Sequence, residues 1–310
     1  MRKASHEKTL HYTIGEAGGQ IGEIFKQNQY DVIAYNTAKA DMDKLKQITD
    51  KRLIGITEGS GKDRKLSAKS FDDNIDKIRT AVTQDMSNKE VAFIYTSMSG
   101  GTGSGSAIRL AKLIHQLGKK AIIVAVKPVN GEIGKAENNY LQFLAEFEKE
   151  KNDLVLDMFE NEFDYVKINK YIYETIDNFL NPVGESITTF DFMDSLKAFR
   201  SGYCVMATGK TKEIIVNSMF ELNKSETCVL ISQSPQSVDG YQEMTKRNYG
   251  YLDRQYYEYR VQENPKWTIL IGGLQLPIDT ISTLAKEVNQ KAQLLNAKKD
   301  SLTFNILGID

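Results

Sequence analysis

Two rhythms of apolar residues run along this chain. Predominantly apolar stretches at 10–14, 30–35, 53–56, 91–95, 121–126 and 154–158 have the length and the β-branched and aromatic content of strands. Those at 91–95 and 121–126 carry no polar position at all, as strands of a parallel sheet covered on both faces do. Between the strands the spacing changes to three and four. Ile24 and Phe25 open one helix, and Met42, Leu45 and Ile48 mark a second. Ile75, Ile78 and Val82 mark a third over 71–85, Ala107, Leu110, Ala111 and Ile114 a fourth, and 139–149 forms a fifth. Strand and helix alternate throughout, the βαβα order of an α/β, doubly wound parallel sheet with its ligand across the C-terminal ends of the strands.

Beyond residue 160 the pattern changes. Tyr165, Ile168, Ile172, Ile176 and Phe179 stripe a helix of roughly four turns. Asn181-Pro182-Val183-Gly184 predicts that this helix kinks or ends early. Strands at 203–208, 227–232 and 268–272, with helices near 213–222 and 278–299, make a smaller α/β unit, and a polar, tyrosine-rich stretch at 241–259 joins its last two strands. Tyrosines in that stretch suit a subunit interface. Lys286, Lys291, Lys298 and Lys299 give the last helix a basic side that either solvates the chain or docks a partner.

Composition narrows the class. A hydrophobic content of 41% over 310 residues suffices for a large core. Lys and Arg (40) nearly cancel Asp and Glu (41), so no global field argues for nucleic acid or a membrane. No run approaches the ~18 apolar residues of a membrane span, and the polar start MRKASHEK has no apolar signal region, so a cytoplasmic location is expected. Cys204 and Cys228 lie in apolar runs without metal or redox spacing, which predicts buried free thiols.

The candidate chemistry sits at Ser99-Gly100-Gly101-Thr102-Gly103-Ser104-Gly105, between a strand and a helix. A turn at a helix N-terminus offers free N–H groups and about half a positive charge, which suits phosphate. Glycines let the backbone come close, and Thr102 and Ser104 add hydroxyl donors. The turn lacks the lysine and hydroxyl residue that close a Walker loop, and Gly209-Lys210-Thr211 lacks the upstream glycine. A dinucleotide fingerprint belongs near the first strand, not a third of the way along the chain.

This string, S-G-G-T-G-S-G, closely resembles the G-G-G-T-G-S-G signature of the tubulin and FtsZ superfamily of GTPases. The resemblance continues in motif order over nearly all of the first 200 residues and is weak afterwards. It implies that Gly100, Gly101, Thr102, Gly103, Ser104 and Gly105 cradle phosphates. The turn at 15–22 is similar to tubulin's first nucleotide loop, which implies contacts from Gly18, Gly19 and Gln20 and a role for Glu16 in holding Mg²⁺. The Asn-Thr pair at 36–37 matches the second loop, so Asn36 is expected to face the nucleotide. E-G-S-G-K-D-R-K at 58–65 resembles the γ-phosphate-sensing third loop in its plasmid and phage form, TubZ, and brings in Ser60 and Gly61. Lys62, Arg64 and Lys65 there either neutralise phosphate or solvate a face. K-P-V-N-G-E-I-G-K resembles the fifth loop, which puts Glu132 on the ribose hydroxyls; Ala136 stands where an arginine is usual, leaving Lys135 for any cationic help.

Tyr165 and Asn169 match the start of the superfamily's central helix, which implies that Tyr165 stacks on guanine and Asn169 bonds its edge. An asparagine offers both donor and acceptor, as that edge requires, so GTP rather than ATP is the expected nucleotide. Thr189-Phe190-Asp191-Phe192-Met193-Asp194 resembles the synergy loop N-x-D-F-x-D, which enters the nucleotide pocket of the next subunit and makes Asp191 and Asp194 catalytic. Read from the residues alone, the two acids are a helix cap and a surface charge.

The resemblance implies a GTP-binding domain over 1–163, a central helix and connector over 164–189, and an activation domain over 190–310. It implies hydrolysis of GTP to GDP and phosphate with Mg²⁺, and a head-to-tail filament, since such a contact does not close. The TubZ likeness points to plasmid or phage DNA segregation through a small DNA-binding adaptor on a centromere-like DNA, with no tight nucleic-acid binding by the chain itself. TubZ proteins commonly carry a C-terminal extension, so this chain reads as a short-tailed or truncated member. The alternatives are an FtsZ-like cell-division GTPase, whose first loop carries a longer glycine run, and a nucleotide-binding enzyme that does not polymerise.

Overall fold

Successive side chains of a strand point to opposite faces, so an apolar run demands cover on both sides of its sheet. A computed structural model supplies that cover; it describes residues 4–55, 58–129, 132, 134–161, 164–188, 190–210, 219–236 and 253–306. Strands β1 (Thr9–Ile14), β2 (Val32–Asn36), β3 (Asp50–Leu53), β4 (Val91–Ser97), β5 (Lys120–Val126) and β6 (Val155–Phe159) lie parallel in the order β3-β2-β1-β4-β5-β6. On β4, Ala92 and Ile94 face one side while Val91, Phe93 and Tyr95 face the other.

Helices α1 (Ala4–Lys8), α2 (Gly15–Gln27), α3 (Lys39–Asp43), α4 (Arg64–Asp73), α5 (Ile75–Asp85), α6 (Gly101–Gln116), α7 (Lys135–Glu150), α8 (Tyr165–Leu180), α9 (Phe192–Ala198) and α10 (Thr280–Ile306) surround the sheet. The first face is covered by α4, α5, α6 and α7, which contribute Phe71, Ile78, Leu110 and Phe147 to its core. The second is covered by α2, α8 and α9 through Phe25, Ile172, Phe179 and Leu196. This is the doubly wound α/β architecture that the alternation predicts.

The sheet does not stop at β6. Strand β8 (Gly202–Gly209) pairs parallel with β6 and antiparallel with β11 (Lys266–Leu274). From β11 the order runs through β9 (Thr227–Ser234) and β10 (Asp253–Arg260) to a two-residue edge, β7 (Glu185–Ser186). Helix α10 packs Ile281 and Leu284 against the first-face core.

Several elements differ from the sequence reading. The strand expected at 53–56 is β3, three residues earlier; its exposed and half-buried Asp50, Lys51 and Arg52 hide it from an apolar pattern, as is usual for an edge strand. The single helix expected over 71–85 is two, meeting at Asn74, with α4 starting at Arg64 because the Asp63 side chain accepts from Leu66 N–H. The tyrosine-rich stretch contains β10, a strand masked by its charged and tyrosine side chains; 241–252 lie outside the described residues. The helix expected near 213–222 falls largely on residues 213–218, also outside them.

The expected end of α8 is observed. It stops at Leu180, and Asn181 Nδ2 donates to Tyr30 Oη at 2.7 Å and to Asp177 Oδ1 at 2.8 Å. Cys204 and Cys228 are buried free thiols, as their apolar surroundings predict.

One buried acid gives a test of this interior. Asp157 on β6 is 1% exposed, and its Oδ2 has no hydrogen-bond partner among the described residues. Burial holds its pKa well above the ordinary carboxyl value, against hydrogen bonds from the Met206 and Met158 backbone. The folded state therefore binds this proton more tightly than the unfolded state. The stability it contributes is full below the unfolded pKa and is lost as pH rises through the folded one. Asp157→Asn is expected to flatten that decline and to be more stable than the parent at mildly alkaline pH, read by urea unfolding across the range; an unchanged slope would exclude Asp157 as its source.

Candidate functional site

The strand order reverses direction between β1 and β4, the point at which open α/β sheets bind ligands. Both strands end here and each feeds a helix at once, β1 into α2 at Gly15 and β4 through a short turn into α6 at Gly101. Neither helix has a side-chain cap, whereas α4, α8 and α9 are capped by Asp63, Asp164 and Asp191. The orphan N–H groups of two helix starts thus line one cavity of about 590 Å³. Two helix dipoles converge on it, an arrangement that favours an anion.

The glycines earn their places mainly by packing. A Cβ on Gly101 would collide with Ser60 Oγ and Asp63 N, one on Gly103 with Thr96 Oγ1, and one on Gly105 with the Arg64 carbonyl. Only at Gly100 in this turn does a Cβ position meet nothing within 4 Å, so there the backbone stands open to a ligand. Thr102 is positioned by its neighbours, with Oγ1 at 2.6 Å from Thr37 Oγ1 and 3.4 Å from Ser60 Oγ.

Of the residues singled out by sequence, Glu16, Gln20, Ser60, Gly61, Gly100, Gly101, Thr102, Gly103, Glu132, Tyr165 and Asn169 line the cavity. Gly18, Gly19, Asn36, Ser104 and Gly105 do not, each for a physical reason. Gly18 and Gly19 face inward, where a Cβ would strike the Tyr95 carbonyl or press on Leu45. Asn36 is buried and accepts from Ala38 N–H at 3.1 Å, and Ser104 Oγ donates back to the Gly100 carbonyl. Gly105 seats α6 against α4.

At the far end, Tyr165 opens α8 and is 55% exposed, while Asn169, one turn on, is 9% exposed. A third residue joins them that the sequence reading missed. Asn161 lines the same wall, and its Oδ1 is buried with no hydrogen-bond partner among the described residues. An unpaired buried acceptor beside a cavity fits a ligand donor. In sequence it hides between Glu160 and Glu162, where it reads as part of a charged loop.

Charge along the wall is mostly acidic. Glu16, Asp41, Glu58 and Glu132 face one lysine, Lys62, whose Nζ lies 2.9 Å from Glu132 Oε1. Lys135 is exposed and Ala136 buried, so it is Lys62 that supplies the cation beside Glu132. Glu16 contacts Lys44 at 3.4 Å. A polyphosphate here would be held by backbone amides and would need a counter-cation. No cluster of three or more His, Cys, Asp or Glu occurs among the described residues, so no ready-made protein cage awaits it. One or two carboxylates sharing Mg²⁺ with phosphate oxygens and water fits this donor set.

Asp191 and Asp194 lie away from this wall. The Asp191 side chain accepts from Asp194 N–H at 2.9 Å, and Asp194 Oδ2 accepts from Asp191 N–H at 3.3 Å, a reciprocal capping box at the start of α9.

Residues 4–165 match the family model described as "Tubulin/FtsZ family, GTPase domain". Among curated proteins, the cell division protein FtsZ of Buchnera aphidicola is 25% identical over 149 residues, covering 46% of this chain and 38% of that protein. CetZ1 of Haloferax volcanii is 30% identical over 164 residues, covering 48% and 41%. The matched part of the chain thus spans about two fifths of these relatives' length. Among solved structures, TubZ of Clostridium botulinum phage c-st is similar with a TM-score of 0.79 at 20% identity, over 93% of this chain and 99% of that one. A GTPγS-form protofilament of Bacillus thuringiensis TubZ gives 0.78 at 13%, over 96% and 94%. At these identities the structural likeness is one of fold.

The packing of the glycine turn yields a contrast. Gly103→Ala is expected to destabilise the protein by roughly 1–3 kcal/mol because a buried neighbour must move. Gly100→Ala should cost under about 1 kcal/mol, the ordinary penalty of a poorer helix cap. Chemical unfolding of both variants decides, and equal losses would contradict the open face at Gly100.

Proposed function

Since this chain belongs to the tubulin/FtsZ family, we propose that it binds GTP in the cavity between β1 and β4 and hydrolyses it at a contact between successive subunits. The observation that carries this reading is the cavity's division of labour. Two uncapped helix starts suit phosphates at one end, and Tyr165, Asn169 and Asn161 suit a purine base at the other. Glu132, half-buried in the same cavity lining, suits the ribose hydroxyls, which would displace Lys62 from it. Mg²⁺, when bound, offsets phosphate charge, and Glu16 is the carboxylate nearest to hand at the α2 start.

The remaining step falls to Asp191 and Asp194 of a neighbouring subunit. Within one chain their carboxylates only close a capping box, and that box holds them at the exposed start of α9. Docked against the next cavity, they orient water for attack on the γ-phosphate. Such a contact is head-to-tail and propagates into a filament. The protofilament form in which Bacillus thuringiensis TubZ has been solved supports this arrangement. The TubZ-like fold over 93% of the chain and the E-G-S-G-K-D-R-K loop favour plasmid or phage DNA segregation, through an adaptor that binds the DNA.

Turnover per subunit is then expected to rise with protein concentration and to approach zero in dilute solution. Asp194→Ala should bind GTP normally, suppress hydrolysis and leave persistent filaments by light scattering and electron microscopy. Concentration-independent turnover would place the whole reaction within one chain.

Base recognition is tested separately. Asn169→Ala should weaken GTP binding by about 1–3 kcal/mol, the cost of an unpaired buried group. Equal affinity of the unaltered protein for ATP and GTP, read by calorimetry, would sink that assignment.

A further inference from the structure

The phosphate end of the cavity is built from two separate loops, and one side chain ties them together. Asn139, on α7, is 5% exposed and lies behind the cavity wall. Its Nδ2 donates to the Lys62 carbonyl at 3.0 Å and to the Ser99 carbonyl at 3.0 Å, with the Gly100 carbonyl at 3.4 Å. An amide NH₂ has two hydrogens, so Lys62 and Ser99 each receive one and Gly100 is a weaker third contact. Helix α7 is itself held from the other side, where Glu137 Oε1 meets Lys291 Nζ of α10 at 2.5 Å.

We propose that Asn139 is a positioning residue that aims the phosphate-binding amides of the 99–101 turn and fixes loop 58–62 against them. The reason is peptide geometry. A trans peptide is planar with its C=O and N–H opposed. Turning the Ser99 carbonyl toward α7 therefore turns the Gly100 N–H away from it, and the Gly100 carbonyl does the same for Gly101 N–H. Gly100 and Gly101 both line the cavity, and Gly100 has open space before it. Holding the Lys62 carbonyl with the same amide sets the loop that carries Ser60, Gly61 and the Lys62 ammonium. The inference deepens the GTP reading and rests on it for the identity of the anion.

The experiment compares Asn139→Asp, which keeps the shape but sets an acceptor against carbonyls, with Asn139→Ser, which is too short to reach both loops. Two readouts are taken on each folded variant. The first is GTP turnover at fixed protein concentration, with KM expected to rise about tenfold and kcat to stay within roughly twofold, since the lost interaction serves ground and transition states alike. The second is hydrogen exchange without nucleotide, expected to accelerate at 60–63 and 100–101 while β4 and the body of α7 stay protected. Unchanged KM with unchanged local exchange overturns the proposal, as does exchange that rises uniformly with KM unaltered, because that marks lost packing alone. Should the unaltered protein bind no GTP by calorimetry, the GTP reading itself fails; the tie between the loops then stands or falls on the exchange arm.

Discussion

Everything at the candidate site depends on how closely α2 and α6 sit on the sheet and on each other. At Gly15, which has a φ of +77°, a Cβ would come within 3.3 Å of Gly103 N. At Gly103 a Cβ would come within 3.2 Å of the Ile14 carbonyl as well as striking Thr96. The two helix starts are therefore close neighbours, with only the Thr102 side chain beside the contact. That proximity converts two ordinary helix N-termini into one concentrated patch of positive potential, because each dipole acts only within its first turn. A methyl group at either glycine would press on the backbone of the other segment.

The acidic wall fits the same principle. Among the described residues, four carboxylates and one lysine line the cavity, so their net charge does not favour an anion. The positive potential there comes from fixed backbone dipoles, which point in defined directions. Three other helices, α4, α8 and α9, are capped by Asp63, Asp164 and Asp191; such a carboxylate at Gly100 would occupy the open space in front of the α6 start.

The buried strands and the glycine turn were readable because each obeys one local rule, continuous apolarity or a helix start without Cβ. What escaped was set by neighbours distant in sequence. Nothing in the string Y-N-T tells that Asn36 Oδ1 accepts from its own backbone at Ala38, and nothing in the first glycine turn tells that a Cβ on Gly18 would strike the Tyr95 carbonyl. Strand β10 carries Arg254, Glu258 and four tyrosine or glutamine positions, so its place between β9 and β7 follows from pairing and not from hydropathy. Asn139 and Asn161 look like surface asparagines until the fold buries one behind two loops and unpairs the acceptor of the other. The motif string marked where the cavity would be; it was silent on which glycines face it.

Strand β8 takes part in two ladders, parallel to β6 through Val155–Gly202, Leu156–Tyr203 and Asp157–Cys204, and antiparallel to β11. Backbone hydrogen bonds therefore run unbroken from β3 at one edge to β7 at the other. Two lobes joined only by side chains swing on a hinge; two lobes sharing a strand do not. A force applied near the β7 edge passes into β6, one strand from β5 and two from β4, as tension within a single plate, whose soft response is a change of twist. Three register pairs at one parallel seam thus make the two halves of the molecule one continuous sheet.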